Sequence, residues 1–135
     1  MPNVHAWAAR PDIHLLAAEA DLIGDLALAI ERSEPELARL LLEEVDRAEL
    51  HNAATLPADA VRIGSKVRFR DGDSGREREV RIVLPYQADI AEGAVSVLTC
   101  IGAGLIGMRA GQSIRWPDTE GRERRLDVAE VRPPA

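Results

Sequence analysis

The chain has 135 residues, of which 46% are hydrophobic but only 3% aromatic, so a domain-sized core must be built from Leu, Ile, Val and Ala. The formal net charge of −6 argues against nucleic acid binding through the protein's own surface, and no direct sequence-specific DNA binding is expected. The single cysteine, Cys100, excludes an internal disulfide and fits a reducing compartment. The sequence shows no apolar stretch long enough to span a membrane and no signal-peptide pattern, so we expect a cytoplasmic protein without a membrane partner.

Charge is distributed unevenly along the chain. Residues 1–52 carry eleven acidic residues against four arginines, whereas residues 53–135 carry twelve acidic residues against thirteen basic ones. This asymmetry indicates two parts with different roles. We expect a lead-in and a short helical hairpin in residues 1–52, a linker in residues 53–63, and a sheet domain in residues 64–135.

The acidic front part predicts a helical hairpin. Apolar residues recur at helical spacing from Ile13 to Ile30, and a second striped helix continues to about Leu50. Between them, Ser33 and Glu36 match a capping box, in which each side chain accepts a backbone N–H from the other residue. Two apolar-striped helices joined by so short a turn must lie antiparallel, which predicts a short coiled coil.

The rear part predicts a small antiparallel sheet with one short helix. Five segments alternate apolar and polar residues or are bounded by turn residues: "SKVRFR", "REVRIVL", "AVSVL", "QSIRW" and "RRLDVAEV". Between the third and fourth strands lies an apolar segment interrupted by glycines. A helical turn from Ala103 to Met108 would close one end of the sheet and bury Leu105 and Ile106. The predicted fold class is therefore α+β.

No group of side chains in the sequence predicts catalysis, and we expect neither a metal nor a cofactor. His5, His14 and His51 are scattered without the spacing of metal ligands. Cys100 lies in an apolar stretch without an adjacent base, which raises a thiol's pKa and makes it unreactive. The arginines of residues 122–125 alternate with glutamates, a pattern typical of a mixed solvated loop.

Two stretches of the rear part carry a family resemblance. "GSKVRFRD", followed by "VRIVLPYQADIAEGAVSVLTCIGAGLIGMRAGQSIRW", resembles the C-terminal domain of the Gre transcript-cleavage factors of bacterial RNA polymerase, the GreA/GreB family. "ARLLLEEVDRAEL" and "LPADAVRIGSKVRFRD" are similar to a short-armed branch of that family, the regulators of nucleoside diphosphate kinase. The resemblance extends roughly over residues 11–131.

The resemblance implies a partner and two contact regions. In this family an FKBP-like twisted antiparallel sheet docks on the rim of the secondary channel, in the β′ subunit of the RNA polymerase core, and a coiled-coil arm enters the channel. The rim contact transfers to the strand-to-helix corner, at Thr99, Cys100, Ile101 and Gly102. The arm tip transfers to Glu31, Arg32, Ser33 and Glu34. The family usually has proline where this chain has Cys100, and often aspartate where it has Gln112.

The resemblance also implies a non-enzymatic role. In the cleavage factors, two acidic residues at the arm tip help to hold the second catalytic metal of the polymerase. Here helices of 15 to 18 residues would span only about 25 Å, and "ERSEPE" replaces the acidic tip signature. We therefore expect a monomer that competes with Gre factors for the polymerase without stimulating cleavage. The branch also implies an influence on nucleoside diphosphate kinase.

Two other functions remain as alternatives. The first is a true cleavage factor that uses Glu31 and Glu34 as metal ligands. Arm length would distinguish the two interpretations, because a short hairpin cannot place its carboxylates where a longer one does. The second is an FKBP-type prolyl isomerase, whose pocket would be lined with aromatic side chains. Residues 53–135 offer only Phe69, Tyr86 and Trp116 for such a pocket, which makes this the weaker alternative.

Overall fold

The computed structural model describes residues 10–134 and confirms the α+β class. His5 and the rest of the predicted lead-in before Arg10 lie outside the described residues. The elements in chain order are β1 (His14–Leu16), α1 (Ala17–Ala29), α2 (Pro35–Arg47), β2 (Glu49–His51), β3 (Lys66–Asp71), β4 (Glu77–Val83), β5 (Ala94–Ser96), α3 (Cys100–Leu105), β6 (Ser113–Pro117) and β7 (Glu123–Arg132). Two short 3-10 turns, Pro85–Gln87 and Ile90–Glu92, lie between β4 and β5.

The predicted helical hairpin is present but shorter than expected. Helices α1 and α2 have 13 residues each, which corresponds to a length of about 20 Å. The chain just before α1 and just after α2 is extended instead of helical, and forms the parallel strand pair β1–β2 with His14 opposite Glu49. Within residues 10–134, neither helix of the hairpin nor α3 has the length and apolarity to cross a membrane.

The pairing of β1 with β2 brings together two histidines that are far apart in sequence. His14 Nδ1 and His51 Nε2 lie 3.0 Å apart. The prediction that these histidines are scattered is therefore wrong for His14 and His51, because it considered spacing along the chain and not strand pairing.

The predicted capping box at the hairpin turn does not form. The hydroxyl of Ser33 donates to the carbonyl oxygen of Ile30 at the end of α1, at 3.4 Å, and does not cap α2. The carboxylate of Glu36 instead accepts a hydrogen bond from Arg39 Nε at 2.8 Å, since residues three apart on a helix are neighbours. Pro35 begins α2 as predicted, where its missing N–H costs nothing.

The hairpin and the sheet share one hydrophobic core. Ala38 and Leu41 on one face of α2 are fully buried, as are Ile13 and Leu15 before α1. Leu41, Ile13 and Leu15 belong to the same cluster as the inward side chains of the sheet. The hairpin consequently packs along the rest of the protein and is not a freely projecting arm.

A buried carboxylate fixes the base of the hairpin. Glu44 of α2 is only 1% exposed, and its carboxylate accepts hydrogen bonds from Arg47 at 2.7 and 2.9 Å and from Arg10 at 3.5 Å. Arg47 also donates to the carbonyl oxygen of Pro11 at 2.6 Å. A buried charge is tolerated only when it is paired and hydrogen-bonded, so these arginines hold the end of α2 against the segment that leads into α1.

The five-stranded sheet has the order β5-β4-β3-β7-β6. All neighbours are antiparallel except β4 and β5, which are parallel with Arg81 opposite Ala94. The sequence predicted an antiparallel sheet throughout. Residues 84–93 instead return the chain to the end of the sheet where β4 begins, so β5 runs parallel to β4. The alternation predicted for β3 is confirmed, since Val67 and Phe69 are buried. The FKBP-like character of the sheet stays a prediction.

Helix α3 lies against the sheet at a distance that only glycine allows. It begins at Cys100, earlier than predicted, and is followed by the buried Ile106. A Cβ atom on Gly102 would collide with the carbonyl oxygen of Ser96 and lie 2.9 Å from Val97 Cα. A Cβ atom on Gly104 would lie 2.9 Å from the Trp116 ring. The glycine-rich segment thus permits close packing of the helix backbone on the sheet.

The stretch predicted as a linker is bound to the segment after α3. Val61 is fully buried. Its N–H donates to Met108 O at 2.8 Å, and its carbonyl oxygen accepts from Gly107 N at 2.8 Å. The carbonyl oxygen of Gly107 in turn accepts from His14 N at 2.9 Å. The predicted division into a hairpin, a linker at residues 53–63 and a sheet domain therefore stays a prediction. The two parts that it separates share one core.

A pair of glycine substitutions tests the close packing of α3. We expect Gly102→Ala to lower the free energy of unfolding by at least about 2 kcal/mol, because the backbone must move to accommodate a methyl group. Gly24→Ala in α1 is the matched control, since a Cβ atom there meets no atom within 4 Å. It should raise the free energy of unfolding by roughly 0.5–1 kcal/mol. Urea unfolding of both variants measures the difference, and equal stability would contradict the packing described here.

Candidate partner-binding cleft

A cleft of about 680 Å³ lies beside the N-terminal end of α3, and we call it the corner cleft. Its apolar lining comes from the sheet and the first turn of α3, and its charged lining comes from the two turns β3–β4 and β6–β7. The residues that line it are Phe69, Asp71, Ser74, Arg76, Arg78, Cys100, Ile101, Trp116, Pro117, Asp118, Thr119, Glu120, Arg124 and Leu126. The cleft thus combines an apolar floor with a rim of both charge signs.

Arg124 joins the two turns that border the corner cleft. One carboxylate oxygen of Asp71 accepts the backbone N–H of Asp73 at 2.9 Å and so closes the β3–β4 turn. Asp118 closes the β6–β7 turn in the same way, accepting from Glu120 N at 2.8 Å. The second carboxylate oxygens both reach Arg124, at 2.9 Å from Asp71 and 3.2 Å from Asp118.

Both aspartates of this ion-pair group are held in the charged state. Burial acts to raise the pKa of Asp71, but the N–H groups of Asp73 and Ser74 and the Arg124 guanidinium outweigh it, so the pKa lies below its ordinary value. The same balance lowers the pKa of Asp118. The pKa of Arg124 is raised, chiefly by its hydrogen bond with Asp118 and by the charge of Asp71. Two carboxylates and one guanidinium leave this part of the rim net negative.

The sequence predicted the arginines of residues 122–125 as part of a mixed solvated loop. For Arg124 this is wrong, because its partner Asp71 comes from a turn 53 residues earlier. Nothing in the sequence indicated that one arginine would link that turn to the last one.

The four residues predicted as a rim contact have two different roles. Thr99 caps α3: its hydroxyl accepts from Gly102 N at 3.0 Å and donates to Ser96 O at 2.7 Å. Gly102 is buried and packs against the sheet. Only Cys100 and Ile101 line the corner cleft, and both are half-buried. Thr99 and Gly102 therefore shape the corner, while Cys100 and Ile101 are available for contact.

The thiol of Cys100 has the environment of an unreactive cysteine. Burial raises the pKa of Cys100, and the negative charges of Asp118 and Glu34 raise it further. At neutral pH the side chain is therefore the protonated thiol, which is a poor nucleophile. The cleft residues described here can offer apolar surface and charged hydrogen-bonding groups to a partner.

The predicted arm tip lies near the corner cleft. Glu31, Arg32, Ser33 and Glu34 are all exposed at the turn between α1 and α2. Because α2 packs toward α3, Glu34 is close enough to Cys100 to affect the pKa of its thiol. The hairpin tip therefore lies near the N-terminal end of α3, where Cys100 lines the corner cleft.

The aromatic residues considered for a prolyl isomerase pocket do not all meet. Phe69 and Trp116 line the corner cleft, but both are about 1% exposed and are packed into the core. Tyr86 lies outside the cleft and is 82% exposed. Among the described residues 53–134, these side chains therefore do not form the aromatic cage that such an activity needs.

The fold is a helical hairpin packed on a mixed five-stranded sheet, and comparison with known proteins identifies its family. The family model "Transcription elongation factor, GreA/GreB, C-term" matches residues 56–133. The chain belongs to the GreA/GreB family. It is 31% identical over 122 residues to the regulator of nucleoside diphosphate kinase of Escherichia coli K12, and the match covers 90% of each chain.

Two further comparisons extend this result. The transcription elongation factor GreA of Acidiphilium cryptum is 33% identical over 131 residues, which cover 91% of this chain and 83% of that protein. Among solved structures, the prokaryotic transcription elongation factor GreA/GreB from Nitrosomonas europaea matches with a TM-score of 0.70 and 27% identity. That match covers 92% of this chain and 100% of the other. The chain is thus similar to a short member of the family along most of its length.

Alkylation of Cys100 tests the proximity of the hairpin tip. Because the pKa of Cys100 is raised, we expect its reaction with iodoacetamide to be slow at pH 7 and to accelerate at a higher pH in the folded protein than in the urea-unfolded one. Glu34→Gln removes one nearby negative charge, lowers the pKa and should speed the reaction at pH 8. Glu92→Gln is the control, since exposed Glu92 is not among the charges that shift Cys100. An unchanged alkylation rate in Glu34→Gln would contradict the proximity of the hairpin tip to Cys100.

Proposed function

We propose that this protein is a cytoplasmic, monomeric transcription regulator that binds the RNA polymerase core at the rim of the secondary channel. The corner cleft contacts the polymerase, and the hairpin tip lies at the channel entrance. The protein competes with Gre factors for this site and does not stimulate transcript cleavage. Membership of the GreA/GreB family, with relatives named transcription elongation factors, supports the partner.

The observation that carries this proposal is the position of the hairpin tip beside the corner cleft. The charge of Glu34 at the tip raises the pKa of Cys100, and Cys100 lines the cleft together with Ile101. A single partner surface can therefore contact both. The cleft also has the composition of a protein interface, with an apolar centre and a polar rim.

The length of the hairpin supports competition without cleavage. Each helix is about 20 Å long, and one face is packed against the sheet domain. The tip carboxylates consequently stay close to the docking surface and do not extend away from it. Glu36, the third acidic residue in the turn region, is paired with Arg39.

A Gre-type cleavage factor is the second candidate function. The observation that favours it is the exposure of Glu31 and Glu34, because exposed carboxylates can bind a divalent cation together with a partner's ligands. Transcript cleavage in stalled elongation complexes distinguishes the two functions. We expect no stimulation by the wild-type protein. Stimulation that is lost in the double variant Glu31→Gln/Glu34→Gln would establish the second candidate instead.

The name of the Escherichia coli relative adds a further part to the proposal, an influence on nucleoside diphosphate kinase. We propose that this influence acts through transcription. Kinase transcript levels in cells with and without the gene measure it, and altered enzyme activity at constant transcript levels would contradict it.

Competition for the polymerase core tests the main proposal. We expect the purified protein to bind the core enzyme and to be displaced by a Gre factor. Ile101→Ala should weaken binding about tenfold or more, because we assign Ile101 to the small group of central apolar side chains whose truncation costs over about 1 kcal/mol. Ile90→Ala is the matched control, since Ile90 is 92% exposed and outside the cleft. Equal loss in both variants, or binding unaffected by a Gre factor, would contradict the assigned site.

A further inference from the structure

Three potential metal ligands converge where the chain enters and leaves the hairpin. His14 lies in β1, and Glu49 and His51 lie in β2, so the parallel pairing of these strands brings them together. His14 Nδ1 is 3.0 Å from His51 Nε2 and 3.2 Å from Glu49 Oε2. His51 Nε2 is 3.9 Å from the same glutamate oxygen. The three donor atoms therefore form a compact triangle.

The size of this triangle matches a tetrahedral zinc site. Zinc binds imidazole nitrogen and carboxylate oxygen at about 2.0–2.1 Å, so two ligands of a tetrahedral ion lie about 3.3 Å apart. The three separations described above depart from that value by at most about 0.6 Å.

The surroundings of His51 favour a ligand over a solvated histidine. Its second ring nitrogen, Nδ1, lies 3.0 Å from Thr55 Oγ1. That hydroxyl can donate to Asn52 O, at 3.5 Å, and so is free to accept the Nδ1 proton. This arrangement leaves the lone pair on Nε2 directed at His14 and Glu49. Such a hydrogen bond from the second nitrogen is the usual partner of a metal-bound histidine.

Burial of the three side chains fits an ion with one open coordination position. The side chains of His14 and His51 are only 15% and 11% exposed, whereas that of Glu49 is 63% exposed. As metal ligands, two imidazoles and one carboxylate together contribute a charge of −1, which attracts a divalent cation. Three protein ligands leave the fourth position of a tetrahedral ion to water.

We propose that His14, Glu49 and His51 form a binding site for a divalent transition metal ion, with Zn²⁺ as the expected ion. The ion links β1 to β2 and so ties the start of α1 to the end of α2. Its binding free energy adds to the stability of the folded state, because the ligands are brought together only by folding. This site is separate from the corner cleft, which shares none of its three ligands.

Calorimetric titration of the full-length, tag-free protein with Zn²⁺, after removal of metal by a chelator, tests the proposal. We expect one ion per chain, a visible absorption band of tetrahedral Co²⁺ when cobalt replaces zinc, and a melting temperature raised by about 5 °C or more at a hundredfold excess over Kd. His51→Gln and Glu49→Gln should each weaken binding about 100-fold or more. Thr55→Val should weaken it about tenfold, because the tautomer and orientation of His51 are then no longer fixed.

One control and one ligand variant make the outcome decisive. Glu92→Gln changes an exposed carboxylate far from the three ligands along the chain and should bind Zn²⁺ like the wild type. Glu49 is largely exposed, so Glu49→Gln tests the site even if a histidine variant fails to fold. The absence of stoichiometric Zn²⁺ binding by the wild type would overturn the proposal. Binding of equal strength in Glu49→Gln and in the wild type would overturn it as well.

Discussion

The close approach of the α3 backbone to the sheet is the constraint on which the rest of the structure depends. Gly102 lies on the backbone at Ser96 and Gly104 lies on the Trp116 ring, at distances that leave no room for a side chain. Because α3 is so near the sheet, the segment after it reaches Val61 and His14 through backbone hydrogen bonds of Gly107. The same packing thus positions the sheet, the connecting segment and the start of the hairpin.

The corner cleft follows from this arrangement. The first turn of α3 presents Cys100 and Ile101 at the place where the β3–β4 and β6–β7 turns converge. Arg124 holds those turns together, and its two aspartate partners already close them by accepting backbone N–H groups. Each aspartate therefore serves the local turn with one oxygen and the long-range ion pair with the other. The hydrogen bonds of Asp71 and Asp118, to the turn backbones and to Arg124, therefore shape this side of the cleft.

Periodicity predicted those parts of the fold whose signal lies within one segment. The two helices and the alternation of Val67 and Phe69 belong to this group, as does the burial of Leu105 and Ile106. The three-residue strands β1 and β2 were missed because they are too short to show a period. Their pairing, like that of Asp71 with Arg124, joins residues far apart in sequence. A single sequence contains no sign of such contacts. The capping box failed for a local reason: α2 begins at Pro35 with Glu34 as its N-cap, so Ser33 lies one residue too early to cap the helix.

The charge asymmetry of the sequence acquires a physical meaning only with the packing known. The acidic excess of residues 1–52 suggested a part with a role of its own, yet Glu44 is buried at the base of the hairpin and Leu41 of α2 belongs to the core that the hairpin shares with the sheet. A hairpin extended by further turns would carry its apolar stripe beyond that cover and expose it to water, unless its pattern changed to a self-sufficient coiled coil. The short length of the hairpin and its packing against α3 are therefore one feature. That feature keeps the tip beside the corner cleft.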